Sequence, residues 1–290
     1  MTATSSGKTI LITGASTGIG RASALALTEA GFQVVACVRN PRAAEALRAR
    51  LQGAGSGRLT TVELDVTNAE QIAAAVGAVD RLVGERGLWG LFNNAGIAVG
   101  GPLEFVSVAD LRWQLEVNVV GQVAVTRAFL PLLRRARGRI LTTGSMAGYS
   151  TIPGLGPYSM SKYAVEAMSD ALRRELRPWG IEVSLLEPGS IATDIWDKAS
   201  STQQEISKEP PAGMVELYGG LLKSLEVLTE KAARDASPVE VVTRDVVHAF
   251  SSARPRTRYS KGEGTTVRKL LRRLPDRWVD AALARMFRWG

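Results

Sequence analysis

Tyr158 and Lys162 stand four residues apart in a stretch with helical patterning, so their side chains are expected on one face of a helix. A tyrosine phenol normally loses its proton at about pH 10, and a neighbouring ammonium favours the phenolate, which would bring the pKa toward working pH. Tyr158 could then exchange a proton with a carbonyl or alcohol oxygen. Ser145, at the end of the preceding predicted strand, could hydrogen-bond the same oxygen. Isolated pairs of this kind also occur on helix surfaces with no chemical role.

A glycine-bearing turn near the start of the chain has the features of a phosphate-binding loop. Residues 13–20 read TGASTGIG and lie between a predicted strand and a predicted helix. Glycines allow a tight turn and a close backbone approach, and a dinucleotide pyrophosphate binds well at a helix N-terminus. The alternative is a turn that is merely rich in glycine. The predicted cofactor-binding residues of this turn are Gly14, Ser16, Thr17, Gly18, Ile19 and Gly20.

The residue after the second predicted strand bears on cofactor choice. Proteins that prefer NAD usually carry an acid there, which binds the ribose hydroxyls. Here Val38 is followed by Arg39, and an arginine can pair with a 2′-phosphate that a carboxylate would repel. We therefore expect NADP(H) to be preferred, with NAD(H) as a weaker alternative. Arg39 could instead simply cap a solvated loop.

Strands and helices alternate along most of the chain, and the strands are nearly continuous apolar runs. Strands are predicted at residues 8–13, 33–38, 59–64, 87–92, 139–143 and 181–186, with helices between them. One long helix is predicted over Ala109–Arg135, and an edge strand over Thr257–Ser260. This alternation is typical of an α/β, doubly wound parallel sheet (a Rossmann fold), which binds ligands at the carboxyl ends of its strands. We expect one catalytic domain over residues 1–260, in which residues 190–236 form a helical substrate-covering region, and a C-terminal helical extension over residues 261–290.

The composition excludes several classes of site. Cys37 is the only cysteine, which excludes an internal disulfide and fits a reducing cytoplasm. His248 is the only histidine, which argues against a histidine-based triad and against a multi-histidine zinc site, so no metal is expected. No signal peptide and no membrane span are recognised in the sequence. A cytoplasmic protein is expected.

The net charge of +8 is concentrated at the C-terminus. Residues 254–290 contain 11 Lys/Arg and 3 Asp/Glu, a net of +8, so residues 1–253 are neutral. Apolar residues recur at helical spacing through this tail, and Pro275 is expected to divide it into two helices. The tail either packs on its own substrate-covering region or contacts an anionic membrane or another subunit. Nucleic-acid binding is not expected, because no aromatic side chains are interleaved with the charge.

Taken together, the motifs resemble those of the short-chain dehydrogenase/reductase family. They are TGASTGIG, Asp65 in LDV, NNAG at residues 93–96, Asn118 in VNVVG, Ser145, YSMSK at residues 158–162 and PGSIAT at residues 188–193. They occur in the family's order and at its spacing over roughly residues 8–260. The tail pattern RYS…LPDRWVDAAL is similar to that of the retinol and hydroxysteroid dehydrogenase branch.

This resemblance implies further roles. Ser145, Tyr158 and Lys162 would be catalytic, with Tyr158 and Lys162 also at the cofactor and Lys162 on the nicotinamide ribose. Asn118 would support a water-mediated proton relay. The protein would be a homo-oligomer. The remaining implied cofactor contacts are Asp65 and Val66 at the adenine; Asn94, Ala95 and Gly96 at the adenosine ribose; and Pro188, Gly189, Ile191 and Thr193 at the carboxamide.

The predicted function is the interconversion of an alcohol and a ketone or aldehyde. Residues 212–228 have apolar residues at helical spacing, and this face meets either the core or a ligand. Because the segment follows the PGSIAT motif, we expect a bulky hydrophobic substrate such as a steroid, retinoid or long-chain carbonyl. An epimerase or dehydratase of the same family is the alternative enzyme. A catalytically silent NADP(H)-binding regulator is the non-enzymatic alternative, although it would not need the Ser145, Tyr158 and Lys162 set.

Overall fold

The computed structural model describes residues 7–49, 56–193, 211–271 and 273–287. Its centre is a seven-stranded parallel sheet in the order β3-β2-β1-β4-β5-β6-β7. The chain crosses from β3 over β1 to β4, which creates the switch point at which doubly wound sheets bind ligands. The strands are β1 (Thr9–Ile12), β2 (Gln33–Val38), β3 (Leu59–Glu63), β4 (Gly90–Asn93), β5 (Arg139–Thr143), β6 (Glu182–Pro188) and β7 (Arg258–Lys261).

The predicted doubly wound fold is confirmed, and two strands have the predicted bounds, β2 and β5. The predicted edge strand is present as β7, which pairs in parallel with β6. The helices are α1 (Gly18–Glu29), α2 (Pro41–Ala49), α3 (Ala69–Val83), α4 (Val108–Leu115), α5 (Gly121–Ala136), α6 (Gly156–Glu175), α7 (Met214–Arg234), α8 (Glu240–Ser251), α9 (Thr265–Leu271) and α10 (Asp276–Met286).

The single long helix predicted over Ala109–Arg135 is wrong in one respect. A π-helical turn, Glu116–Val120, separates α4 from α5. A π turn inserts an extra residue without breaking the apolar pattern, so periodicity did not reveal it. The turn contains Asn118, one of the predicted catalytic residues, and therefore determines where its side chain lies.

Two apolar cores cover the two faces of the sheet. Successive β1 residues alternate between them, so Ile10 and Ile12 pack with α1, α2 and α8, whereas Leu11 packs with α3, α5 and the end of α6. Strands buried on both faces require the nearly continuous apolar runs that the sequence has. The result is a single three-layer domain with its ligand-binding edge at the carboxyl ends of the strands.

The C-terminal tail forms two helices on either side of Pro275, as its sequence predicts. Phe287 is buried, and together with Leu283 it packs against Leu221 and Leu225 of α7. The tail therefore contacts the substrate-covering region. Other apolar tail residues are between 38% and 67% exposed, namely Val267, Leu270, Leu274, Trp278 and Met286.

Part of the predicted covering region, residues 194–210, lies outside the described residues. In the part of the chain that is described, no helix is both long enough and apolar enough to cross a membrane.

Candidate active site

The residues predicted to do chemistry lie at the carboxyl edge of the sheet. Ser145 follows β5 and begins the short 3₁₀ turn Met146–Gly148, whose Ala147 amide donates to the Ser145 hydroxyl (3.1 Å). Tyr158 and Lys162 lie on α6, which packs against this turn. Parallel strands end at one edge of the sheet, and residues distant in sequence meet there.

The Ser145 hydroxyl lies close enough to the Tyr158 phenol to lower its pKa. The Lys162 ammonium lies 5.6 Å from the centre of the Tyr158 ring, and it donates to the Thr143 carbonyl oxygen (2.8 Å). Ser145 and Lys162 are buried, whereas Tyr158 is partly exposed. A hydroxyl, a phenol and an ammonium thus converge at a point that solvent-borne molecules can reach, which is the arrangement that proton transfer to a substrate oxygen requires.

The pKa of Tyr158 is raised, whereas the neighbouring Lys162 ammonium was expected to lower it. Burial raises the pKa of the phenol, and the neighbouring Ser145 hydroxyl opposes this only in part. Burial also lowers the pKa of Lys162 to about 8, because removing the ammonium from water disfavours its charge. The spacing of Tyr158 and Lys162 predicts the effect of the ammonium but not the loss of hydration. The structure therefore holds Tyr158 as a protonated phenol at neutral pH.

Asn118 holds the loop after β4. Its side chain accepts from the Ile97 amide (2.8 Å) and donates to the Ile97 carbonyl (3.0 Å) and to the Ser161 hydroxyl (3.1 Å). Ser161 in turn donates to the Tyr158 carbonyl (2.7 Å). Ser161 thus joins the π turn to α6. Its place three residues after Tyr158 was the available signal, and the role in a proton relay implied for Asn118 stays a prediction.

Two glycines of the glycine turn, Gly14 and Gly20, have no room for a side chain. Gly14 and Gly18 have φ of 63° and 55°, a region that favours glycine. A Cβ on Gly14 would lie 2.8 Å from the Ala95 Cα, and one on Gly20 would overlap the Gly14 carbonyl. Ser16, Thr17 and Ile19 complete this turn at the start of α1 and are partly buried. These constraints keep the turn tight against the neighbouring loop.

Thr13 and Asn94 tie the glycine turn to the loop after β4. The Thr13 hydroxyl accepts from the backbone amides of Asn94 (2.9 Å) and Ala95 (3.0 Å). The Asn94 side chain donates to the carbonyls of Thr13 (3.2 Å) and Gly14 (3.1 Å) and accepts from Thr143 (3.2 Å). Gly96 follows, and a Cβ there would lie 3.3 Å from the Asn118 Oδ1. Sequence reasoning missed Thr13 as a site residue, although it begins the glycine motif.

The predicted adenine end of the site is an open cleft of about 610 Å³ beside β2 and β3. It is lined by Arg39, Asp65 and residues 67–71. Arg39 is exposed, and Asp65 accepts from the Thr67 amide and hydroxyl (2.9 and 2.7 Å). Val66, next to Asp65, is buried and packs against Gly121. The cleft therefore offers one exposed guanidinium.

The segment that begins at the last residue of β6 lies at the other end of the candidate site, where the carboxamide is predicted to bind. Pro188 and Ile191 are buried, and Gly189 approaches the Glu263 carbonyl so closely that a Cβ would overlap it. A Cβ on Gly18 would lie 3.3 Å from the Thr193 Cβ. The glycine turn thus meets this segment. A glycine turn at a helix N-terminus, with an exposed cation after the neighbouring strand, fits a dinucleotide.

Comparison with known proteins identifies the family of this chain. The model of the short chain dehydrogenase family matches residues 8–204. The chain is 42% identical over 260 residues to the 17-beta-hydroxysteroid dehydrogenase type 6 of Bos taurus, covering 88% of this chain and 80% of that one. It is 40% identical over 285 residues to the retinol dehydrogenase 16 of Mus musculus, covering 95% and 87%.

Two solved structures have the same fold. One is a short chain dehydrogenase/reductase from Burkholderia phymatum in complex with NAD, with a TM-score of 0.76 and 26% identity over 97% of this chain and 96% of that one. The other is a short chain dehydrogenase from Burkholderia cenocepacia in complex with NADP, with a TM-score of 0.71 and 25% identity over 97% and 99%. The chain belongs to the short-chain dehydrogenase/reductase family, as an NAD(P)-dependent oxidoreductase that acts on CH–OH groups and is related to the retinol and hydroxysteroid dehydrogenases.

Proposed function

We propose that this protein is an NADP(H)-preferring oxidoreductase that interconverts a bulky hydrophobic alcohol and its ketone or aldehyde, with Ser145, Tyr158 and Lys162 as catalytic residues. The observation that carries the proposal is the convergence of the Ser145 hydroxyl, the Tyr158 phenol and, one helical turn further on, the Lys162 ammonium at the edge of the sheet where the glycine turn lies. A structural role would not require a partly exposed phenol to lie beside a buried hydroxyl.

Each catalytic residue has a separate task. In the direction of reduction, the Tyr158 phenol donates its proton to the substrate oxygen, and the Ser145 hydroxyl hydrogen-bonds that oxygen. A bound nicotinamide supplies or accepts the hydride. Lys162 positions α6 through Thr143 and would bind the nicotinamide ribose. Because burial raises the pKa of Tyr158, the phenol is ready to donate at neutral pH, whereas alcohol oxidation needs the phenolate and is favoured at alkaline pH.

Preference for NADP(H) rests on Arg39. It is exposed beside the cleft at the end of β2, where a 2′-phosphate on the adenosine ribose would lie. Asp65 and Val66 would flank the adenine, and Asn94, Ala95 and Gly96 would line the ribose. Gly14 to Gly20 would hold the pyrophosphate, and Pro188, Gly189, Ile191 and Thr193 would hold the carboxamide end.

The case for a bulky apolar substrate rests on the surroundings of the segment that leads into Tyr158. Leu225 of α7 packs so closely on Gly154 that a Cβ there would overlap it, and Ile152 packs against the α7 and tail cluster. Leu103 lies beside Gly156 and is 57% exposed. Apolar side chains thus pack around the segment that leads into Tyr158, which favours a lipid-like ligand over a sugar or small polar acid. The named relatives, a retinol dehydrogenase and a hydroxysteroid dehydrogenase, agree with this choice.

We further propose that the tail contacts an anionic membrane surface peripherally. Its exposed apolar residues include Trp278, Leu274 and Met286, and exposed basic residues such as Arg277 and Arg285 lie among them. Basic residues near an anionic surface contribute up to about 1 kcal/mol each. A homo-oligomer is proposed from the family resemblance, and light scattering of the purified protein tests it.

A panel of carbonyl substrates tests the proposed function. NADPH and NADH oxidation are followed with a steroid ketone, a retinal, a long-chain ketone and small polar carbonyls. The proposal predicts the highest kcat/KM for NADPH with one of the three lipid-like compounds. A kcat/KM about tenfold higher for a small polar carbonyl than for every lipid-like one would overturn the substrate class.

A further inference from the structure

Five charged side chains form a cluster between the catalytic helix α6, the strands β6 and β7, and the tail. Glu166 and Asp170 lie on α6, Glu187 on β6, Arg258 on β7, and Lys269 on tail helix α9. The cluster therefore joins four elements that are far apart in sequence. Glu187 is only 3% exposed and Glu166 14% exposed, so at least two of the charges are withdrawn from water.

Arg258 is the centre of this cluster. Its guanidinium contacts the Glu166 carboxylate at 3.0 and 3.3 Å and the Asp170 carboxylate at 3.0 Å. It also lies 3.4 Å from the Glu187 carboxylate, whose other oxygen is 3.4 Å from Lys269. The planar fork of arginine can satisfy several carboxylates at fixed angles, which a single ammonium cannot do. Arg258 thus fixes the distance between α6 and β6.

Glu166 and Glu187 are the two most buried carboxyl groups of the cluster. Arg258 contacts both, whereas Arg173 and Arg174 contact only the outer carboxylate, Asp170. Burial raises the pKa of Glu166 to about 7, with a further contribution from the negative charge of Glu187, although Arg258 opposes the shift. The guanidinium of Arg258 is therefore the group that holds these two carboxyl groups, one on α6 and one on β6, next to each other.

The cluster adjoins two parts of the candidate site, the turn after Ser145 and the segment that begins at Pro188. Glu166 is one helical turn after Lys162, and a Cβ on Gly148, in the turn that Ser145 begins, would lie 2.9 Å from the Lys162 carbonyl and 3.1 Å from the Glu166 Cγ. Glu187 directly precedes Pro188, the first residue of the segment proposed to hold the nicotinamide end. An error in the α6–β6 distance would thus displace the proton donor relative to the hydride carrier.

We propose that Arg258 is a positioning residue that sets the register between the catalytic helix and the nicotinamide-side segment. This inference rests on the proposed function. Arg258 touches neither Tyr158 nor Lys162 and acts through Glu166 and Glu187. A displacement of about 1 Å in reacting groups can lower turnover about a hundredfold, so the loss of this clamp is expected in kcat rather than in folding alone.

The test compares Arg258→Met and Arg258→Lys with a matched control, Arg135→Met. The control arginine has the same side-chain exposure, 35%, and an ion pair with Asp80 (2.9 Å) on the far side of the domain. We expect Arg258→Met to lower kcat at least about tenfold with KM for the carbonyl changed less than about threefold. Arg258→Lys should recover part of the loss, and Arg135→Met should match the wild type.

Two outcomes would overturn the proposal. One is a folded Arg258→Met enzyme with kcat within about twofold of the wild type, and the other is an equal loss in Arg135→Met. If Arg258→Met does not fold, Glu166→Ala removes one link of the clamp, and a kcat within about twofold of the wild type would again overturn it. Failure of the proposed function is distinguishable, because the wild type itself would then turn over none of the carbonyls.

Discussion

The Lys162 ammonium donates a hydrogen bond to the Thr143 carbonyl oxygen, 2.8 Å away and two residues before Ser145. This bond ties α6 to the end of β5, the strand that carries Ser145 into the site. The Tyr158 phenol, on the same helix, thereby reaches the Ser145 hydroxyl. The lysine thus has a structural task in addition to any contact with a cofactor.

Replacing Arg39 tests the cofactor preference. Arg39→Ala should weaken NADPH binding by about 1–3 kcal/mol, the scale of a charge-assisted hydrogen bond, and leave NADH binding nearly unchanged. Titration of each cofactor by fluorescence measures both dissociation constants. Arg42→Ala, at an exposed position three residues on, is the matched control. Equal losses for NADPH and NADH would show that Arg39 does not bind the 2′-phosphate.

Replacing Glu166 tests the raised pKa of its carboxyl group. The pKa of Glu166 is raised from 4.5 to about 7, so the folded protein holds this proton more tightly than the unfolded chain does. The resulting stabilisation is complete below the unfolded pKa and is lost as pH rises through about 7. Glu166→Gln keeps the hydrogen-bonding shape and removes this titration.

Urea denaturation at several pH values measures the effect. Between about pH 5 and pH 7.5 the wild type should lose about 1–3 kcal/mol of unfolding free energy relative to Glu166→Gln. Glu226→Gln, on the exposed face of α7, is the control and should follow the wild type. Parallel curves for the wild type and Glu166→Gln would mean that the pKa of Glu166 is not raised in the folded protein.

Replacing an exposed tail tryptophan tests membrane contact. Trp278 is 67% exposed, so Trp278→Ser should fold normally and reduce co-sedimentation with anionic vesicles. Binding of the wild type should weaken with added salt, since charges contribute to it, and neutral vesicles should bind none. Trp179→Ser, 47% exposed and outside the tail, is the control. No binding to anionic vesicles at low salt would leave the tail with its packing role alone.

The sequence predicted those features that depend on local pattern. β2 and β5 have the predicted bounds because both are short runs of buried, largely β-branched or apolar residues bordered by turn residues. Pro275 divided the tail as expected. The tail's two faces could not be assigned, because burial of Phe287 depends on Leu221 and Leu225 of a distant helix.

Features that depend on tertiary contacts were missed. The π turn at Asn118 leaves the helical pattern intact, and the raised pKa of Tyr158 comes from burial that no spacing rule reports. The contacts of Arg258 were not predicted, because its partners Glu166 and Glu187 lie 92 and 71 residues away. The pKa of Tyr158 and the contacts of Arg258 both depend on residues that are distant in sequence and close in the fold.

The most direct test of the central claim is the turnover of Tyr158→Phe with the best carbonyl substrate of the panel. The change removes the phenol hydroxyl that pairs with Ser145 and leaves the ring in place. The account predicts that kcat falls about a hundredfold to ten-thousandfold, the usual contribution of a positioned proton donor, while the dissociation constant of NADPH stays within about twofold. A kcat within about twofold of the wild type would contradict it, because the proton would then come from another group.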